Sequence, residues 1–260
     1  MDYTNINSTA IDNWVEEGWE WGTPITAEVF AKAKCGEWDV LLTPIKPVPK
    51  AWFAPYIKEG QRLDGAKILG LASGGGQQMP IFTAAGADCT VFDYSQKQLD
   101  SEAMVANREG YDIKIIRGDM TKRLPFDDES FDLIFHPVSN CYVEDIEPIW
   151  KECYRVLKPG GVLLSGMCKD LVYLFGEDDY NSLTIVHKLP YNPLKDPELY
   201  ARAVAEDWGI QFSHTLEQQI GGQLKAGFVL TDLYEDTDPA GTWLLAEYVP
   251  LYIATRAVKK

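Results

Sequence analysis

The feature that most constrains this chain is Ile68-Leu-Gly-Leu-Ala-Ser-Gly-Gly-Gly76, an apolar stretch that runs straight into a cluster of small residues. Followed by the helical pattern of Gln77–Ala85, it reads as strand, tight turn and helix. Glycine allows turns with positive φ and lets a ligand touch bare backbone, and the amides that open a helix attract polar groups. A glycine cluster alone is weak evidence, because many only turn a strand into a helix.

Its weight comes from the alternation that follows. Apolar runs over Ala66–Ala72, Ala87–Phe92, Asp112–Arg117, Phe131–Phe135 and Val162–Met167 predict strands. Between them lie helical patterns at Gln77–Ala85, from Ser95 to about Asn107, and at Glu144–Leu157. Gly86 suits a left-handed helix end, Ser95 with Gln98 forms a capping box, and Lys158-Pro-Gly-Gly161 stops the third helix. Such alternation with short loops predicts an α/β fold: a doubly wound, mostly parallel sheet with helices on both faces. Residues 168–212 break the rhythm and are too long for an ordinary connection, so they are read as an insertion, a lid. A helix over Ser213–Ala226 and strands at Phe228–Tyr234 and within Val249–Val258 complete seven strands, the last pair as an antiparallel hairpin. Residues 1–64, rich in Trp and Pro, form an N-terminal arm or cap ahead of this 65–260 domain. Within it, Thr43-Pro-Ile-Lys-Pro-Val-Pro-Lys50 must be extended, a strap across the surface or over a pocket.

Ligands of such sheets sit at the carboxyl ends of the strands. The dinucleotide fingerprint fits poorly: with Gly74 as its middle glycine, the flanking positions are Ala72 and Gln77, and Gln77 would obstruct a pyrophosphate. Asp93 ends the second strand, where a carboxylate accepts both hydroxyls of a ribose; the alternative is a helix-capping Asp. Arg117-Gly-Asp-Met120 ends the third, where Asp119 can accept an adenine amine with Met120 beneath the ring; the alternative is a loop Asp satisfying local amides.

The order Gly74–Gly76, Asp93, Gly118-Asp119, Leu124-Pro-Phe126, Phe131-Asp-Leu-Ile134 and Arg155-Val-Leu-Lys-Pro-Gly-Gly161 resembles the class I S-adenosyl-L-methionine-dependent methyltransferases over about residues 65–167. Leu-Lys-Pro-Gly-Gly is most similar to the small-molecule branch. The resemblance implies that Ala72, Ser73, Gly74, Gly75, Gly76, Asp93, Tyr94, Asp119, Met120 and His136 meet the cofactor. It departs at Gly70, where the family carries an acid that helps to hold the cofactor's amino group, and at Ala72, where it carries the first loop glycine.

Methyl transfer needs a nucleophile aligned, water excluded and, for some acceptors, a proton removed. His136-Pro-Val-Ser-Asn-Cys-Tyr142 follows the fourth strand at the edge that faces the methyl group in the family. His136 is the candidate base, or a histidine that only hydrogen-bonds cofactor or backbone. Asn140, Tyr142 and Trp21 are candidate substrate contacts, and Cys141 is read as a packed thiol. Trp14, Trp19, Trp21 and Trp52 invite an aromatic-cage reading, with ordinary core favoured. His187, His214 and Glu177-Asp-Asp179 are read as solvated surface, and Gly221-Gly222 as a close-packing site.

Composition narrows the partners. Among 260 residues, 39 acidic against 24 basic give a net charge of −15, with no basic cluster, which disfavours nucleic acid and anionic membranes. Five cysteines without a metal-ligand spacing are read as free thiols in a reducing compartment, with no metal. No targeting pattern or apolar span stands out, so a cytoplasmic protein is expected. The reading is an S-adenosyl-L-methionine-dependent methyltransferase of a small molecule. Its rivals are a macromolecular methyltransferase, a protein that binds the cofactor without turnover, and a nicotinamide oxidoreductase.

Overall fold

A computed structural model of the chain describes residues 2–176 and 181–260. The acidic run Glu177-Asp-Asp179 lies outside the described residues. Seven strands, β1 (Lys67–Leu71), β2 (Asp88–Asp93), β3 (Lys114–Arg117), β4 (Phe131–His136), β5 (Leu157–Cys168), β6 (Phe228–Asp236) and β7 (Tyr252–Lys259), form one sheet. Their order is β3-β2-β1-β4-β5-β7-β6. Pairing is parallel from β3 through β5, and β7 runs antiparallel to both β5 and β6, as the terminal hairpin predicts. The order reverses between β1 and β4, so the loops after β1, β2, β3 and β4 meet at one edge.

Among the described residues seven α-helices accompany the strands: α1 (Tyr3–Glu16), α2 (Ala27–Lys34), α3 (Gln78–Ala84), α4 (Gln96–Glu109), α5 (Glu147–Val156), α6 (Pro197–Ala205) and α7 (Gly222–Ala226). Alternation along β1 sends Ile68 into a core with Phe82 of α3 and Leu99 of α4, and Leu69 and Leu71 into a second core with Trp150 of α5. Phe30, Trp38, Leu42, Trp52, Phe53 and Leu63 fill the first core beside Ile68, so much of the first 64 residues is sheet-facing packing. Trp52 donates to Asp232 at 2.7 Å and packs on Tyr234, which settles it as core.

Helix ends depart from the pattern for local reasons. α5 starts only at Glu147, because Pro148 suits the first turn and Ile146 stands outside it. The expected helix over Ser213–Ala226 is a π-helical turn, Glu217–Gly221, leading into α7. A Cβ on Gly222 would lie 2.5 Å from the Trp150 ring, so the glycine is there for close packing. Among the described residues no helix is long and apolar enough to cross a membrane.

Candidate active site

The loops at the reversal point enclose a cavity of about 300 Å³. At one end the chain turns sharply after β1. Ala72 holds φ of +48°, a left-handed conformation that glycine adopts without strain, and donates its N–H to Phe92 O at 2.8 Å. Gly74 N–H donates to Asp93 Oδ2 at 3.1 Å and Ser95 N–H to Asp93 Oδ1 at 3.0 Å. Burial pushes the Asp93 carboxyl up, against these amides, which pull it down. A Cβ on Gly74 would sit 2.7 Å from Gln98 Cβ, so the turn closes directly onto α4. Only half of the expected capping box forms: Ser95 Oγ accepts from Gln98 N–H at 3.1 Å, while the Gln98 amide reaches Trp21 O.

Ala72, Ser73, Gly74, Asp93, Tyr94, Asp119 and Met120 all line the cavity. Gly75 and Gly76 do not; they pack against α4 and the segment that carries Trp21. A Cβ on Gly75 would meet Trp21 O at 2.5 Å, and Gly76 N–H donates to Glu102 Oε2 at 3.1 Å. Expected as ligand contacts, these two glycines serve in this structure as close-packing positions.

The N-terminal helix roofs the same space. Asn7 donates to Tyr142 O at 3.0 Å and Ile210 O at 2.9 Å, and Ser8 Oγ to Tyr94 O at 2.9 Å. Gln77 Nε2 donates to Glu20 O at 2.7 Å and Thr23 O at 2.9 Å, fastening the segment that carries Trp19 and Trp21 to the glycine turn. Both indoles line the cavity, and Trp14 packs edge-on to Trp19 at 5.4 Å. The far half is walled by Leu41 and Leu42, by Thr43 and Pro44 at the start of the strap, and by Val138, Cys141, Tyr142, Cys168, Tyr173, Gln211 and Tyr252. Burial pushes the Cys141 thiol up to about 12, which keeps it protonated. Tyr173, Gln211 and Tyr252 were not read from the sequence; they belong to the irregular insertion and a strand end, with no motif around them.

Two expected contacts are placed elsewhere. His136 is fully buried, with Nδ1 2.9 Å from Leu71 O and Nε2 2.8 Å from Asn140 Oδ1, and it does not line the cavity. Burial holds its pKa below the ordinary histidine value, so the ring tends to stay neutral. Both nitrogens face oxygens, of which a neutral ring donates to one, and the imidazole, expected as a base or cofactor contact, stands behind the cavity wall as a brace between the β1 turn and the loop after β4. Asn140 is also buried behind the wall, bonded to His136 and to Gln219 at 3.2 Å. His214, expected at the surface, is buried and faces the carbonyls of Asn140 and Val143 at 3.1 and 2.8 Å. His187 is partly exposed against the Tyr191 ring.

Beneath the glycine turn, burial pushes Glu102 up to about 8, and its Oε1 has no hydrogen-bond partner. Its folded pKa lies above the ordinary 4.5, so stability is fully present below pH 4.5 and declines as pH rises towards about 8, where the unfolded chain has released the proton. Glu102→Gln removes this linkage. It is expected to raise the melting temperature by several degrees near pH 8 and to leave it little changed below pH 4.5, measured by calorimetric scans at both.

Comparison with known proteins agrees with this architecture. The family described as "Methyltransferase domain" matches residues 69–165. The uncharacterized methyltransferase YbaJ of Bacillus subtilis (strain 168) is 45% identical over 257 residues, 97% of each chain. The sterol 24-C-methyltransferase ERG6B of Gibberella zeae is 33% identical over 101 residues, 38% of this chain and 26% of that protein. Among solved structures, an S-adenosylmethionine-dependent methyltransferase from Mesorhizobium loti superposes with a TM-score of 0.60 at 18% identity, covering 81% of this chain and 95% of the other. The fold is thus that of a methyltransferase, an enzyme whose cofactor is S-adenosyl-L-methionine. The chain belongs to the class I S-adenosyl-L-methionine-dependent methyltransferases, in one family with YbaJ.

Proposed function

We propose that this enzyme methylates a small molecule held in the enclosed half of the cavity. The observation that carries the reading is one continuous chamber, with the glycine turn, Asp93 and Asp119 at one end and a mostly apolar wall roofed by α1 at the other. Asp93, beside the turn, is assigned to the ribose hydroxyls, which a carboxylate pair of oxygens accepts together. Asp119 is assigned to the adenine amine, with Met120 against the ring. At the methionine end Gly70 offers no acid, and Ser73 Oγ and Gln78 Oε1, 3.3 Å apart, are the polar groups assigned there.

Bound S-adenosyl-L-methionine supplies an electrophilic methyl group on a sulfonium, taken by a nucleophile in line with the breaking bond. The chain's part is to exclude water and fix the approach. Tyr142, Trp19 and Trp21 cover the chamber, and the His136 brace fixes the loop that carries Ser139–Tyr142. Incubation with methyl-labelled S-adenosyl-L-methionine and fractionated cell extract tests this. Label is expected in the low-molecular-weight ultrafiltrate; label confined to protein or nucleic acid would overturn the small-molecule reading. Calorimetry is expected to show binding of S-adenosyl-L-homocysteine and none of NAD.

A further inference from the structure

Placement of His136 behind the wall leaves the acceptor's proton to other groups. Among the described residues lining the cavity none is Lys, Arg, His or Glu, and its carboxylates, Asp93 and Asp119, stand at the glycine-turn end. The far half is formed by Leu42, Thr43, Val138, Tyr142, Tyr173 and Gln211, and the Trp19 and Trp21 indoles line the same cavity. Tyr252 also lines it. As the first residue of β7 it pairs with Cys168, the last of β5, at the carboxyl edge of the sheet. Its hydroxyl donates to Asp238 Oδ1 at 3.0 Å, whereas that of Tyr173 donates to the amide oxygen of Gln211.

The surroundings of Asp238 are acidic. Asp236 and Glu20 are its charged neighbours, and Asp238 forms no ion pair among the described residues. Asp236 already accepts from the Thr43 hydroxyl and the amides of Ile45 and Lys46, and Lys169, next to Cys168, pairs with Glu235.

We propose that Tyr252 and Asp238 anchor and deprotonate an amine, and that the methyl acceptor is a small amine with an aromatic or hydrocarbon body. This rests on the small-molecule reading above. A carboxylate or phosphate acceptor would stand unpaired against apolar walls and beside carboxylates. An alcohol or thiol reacts best as an anion, which these neighbours disfavour. An amine arrives as a cation, attracted by the aromatic rings of the lining and, from behind Tyr252, by Asp238, and reacts as a neutral base, so both of its forms suit the wall. One N–H bond breaks and its electron pair stays on nitrogen as the reactive lone pair. The proton passes to Tyr252 Oη while the Tyr252 proton passes to Asp238, for a net transfer of one proton from substrate to Asp238. Burial raises the Asp238 pKa, which helps it to hold that proton.

Calorimetry on the enzyme saturated with S-adenosyl-L-homocysteine, titrated with benzylamine, benzyl alcohol and benzoate, tests the proposal. Benzylamine is expected to bind at least about tenfold more tightly than benzoate. Asp238→Asn is expected to weaken benzylamine about tenfold and to leave benzyl alcohol within about twofold, with S-adenosyl-L-homocysteine affinity unchanged; Tyr252→Phe should follow the same pattern. Benzoate binding as tightly as benzylamine, no binding of benzylamine, or equal benzylamine affinity in Asp238→Asn would each overturn it. Label entering only macromolecules in the extract experiment would sink the small-molecule reading separately. Failure of S-adenosyl-L-homocysteine to bind the unsubstituted protein would overturn both.

Discussion

Asp93→Ala is expected to weaken S-adenosyl-L-homocysteine by two orders of magnitude or more and to lower the stability of the fold as well. A hydrogen bond to a charged group contributes about 1.5–3 kcal/mol, so losing the two ribose contacts proposed for Asp93 would remove about 3–6 kcal/mol, roughly a hundredfold to ten-thousandfold in affinity. The same carboxylate accepts from Gly74 N–H and Ser95 N–H. Alanine leaves those amides without their acceptor, at a cost of about 1–3 kcal/mol each where water cannot replace it. The glycine turn loosens at the point where it meets Gln98. Asp93→Asn keeps one acceptor oxygen and is expected to fall between the two. Calorimetric titration gives the affinity and thermal denaturation the stability. Unchanged affinity in Asp93→Ala would remove the ribose assignment, whatever happened to the melting temperature.

Asp93 was legible in the sequence because its surroundings are local: an apolar strand, a turn and a capped helix, each with its own residue signature. The same holds from Ile68 to Gly161, where the strand and helix periods alternate cleanly and the order of motifs is itself informative. His136 shows where such reasoning stops. Its position after β4 follows from the pattern, but its environment does not. A one-turn helix at Asn140–Tyr142 folds Asn140 back onto the imidazole, and Gln219, from a π-helical turn far along the chain, accepts from the Asn140 amide and holds it there. Trp150 of α5 packs edge-on against the ring at 6.1 Å. None of these contacts is written in the residues beside His136.

The tryptophans make the same point. Trp21 and Trp52 sit in segments of similar composition without clear periodicity, yet one lines the cavity and the other packs on Tyr234. Tyr173 and Tyr252 reach the chamber from an insertion and from the last strand, so only the assembled sheet brings them together. The apolar half of a site built from separate loops carries no local signal, whereas the polar half built on one turn does.

Gly70→Asp, which restores the acid usual in the family, is expected to damage this protein. Gly70 faces the core that holds α3, and a Cβ there would lie 2.7 Å from Met79 Sδ and 2.8 Å from its Cγ. Met79 is fully buried, so its side chain can yield only by repacking the core around it. An added carboxylate would be overpacked, at about 1–3 kcal/mol, and desolvated without a partner, which costs at least as much again. A total of about 3 kcal/mol or more corresponds to a fall of roughly 6–12 °C in melting temperature for a chain of this size. Gly70→Asp combined with Met79→Ala relieves the collision but not the desolvation, so it is expected to recover only part of that loss. Neither variant is expected to bind S-adenosyl-L-homocysteine more tightly than the natural sequence. The glycine and the methionine thus act as one unit: a thioether fills the place beside β1 that the acid would need, which is why Ser73 and Gln78 are the groups proposed for the amino group. Tighter binding by Gly70→Asp at an unchanged melting temperature would show instead that the place beside β1 opens readily to an acid.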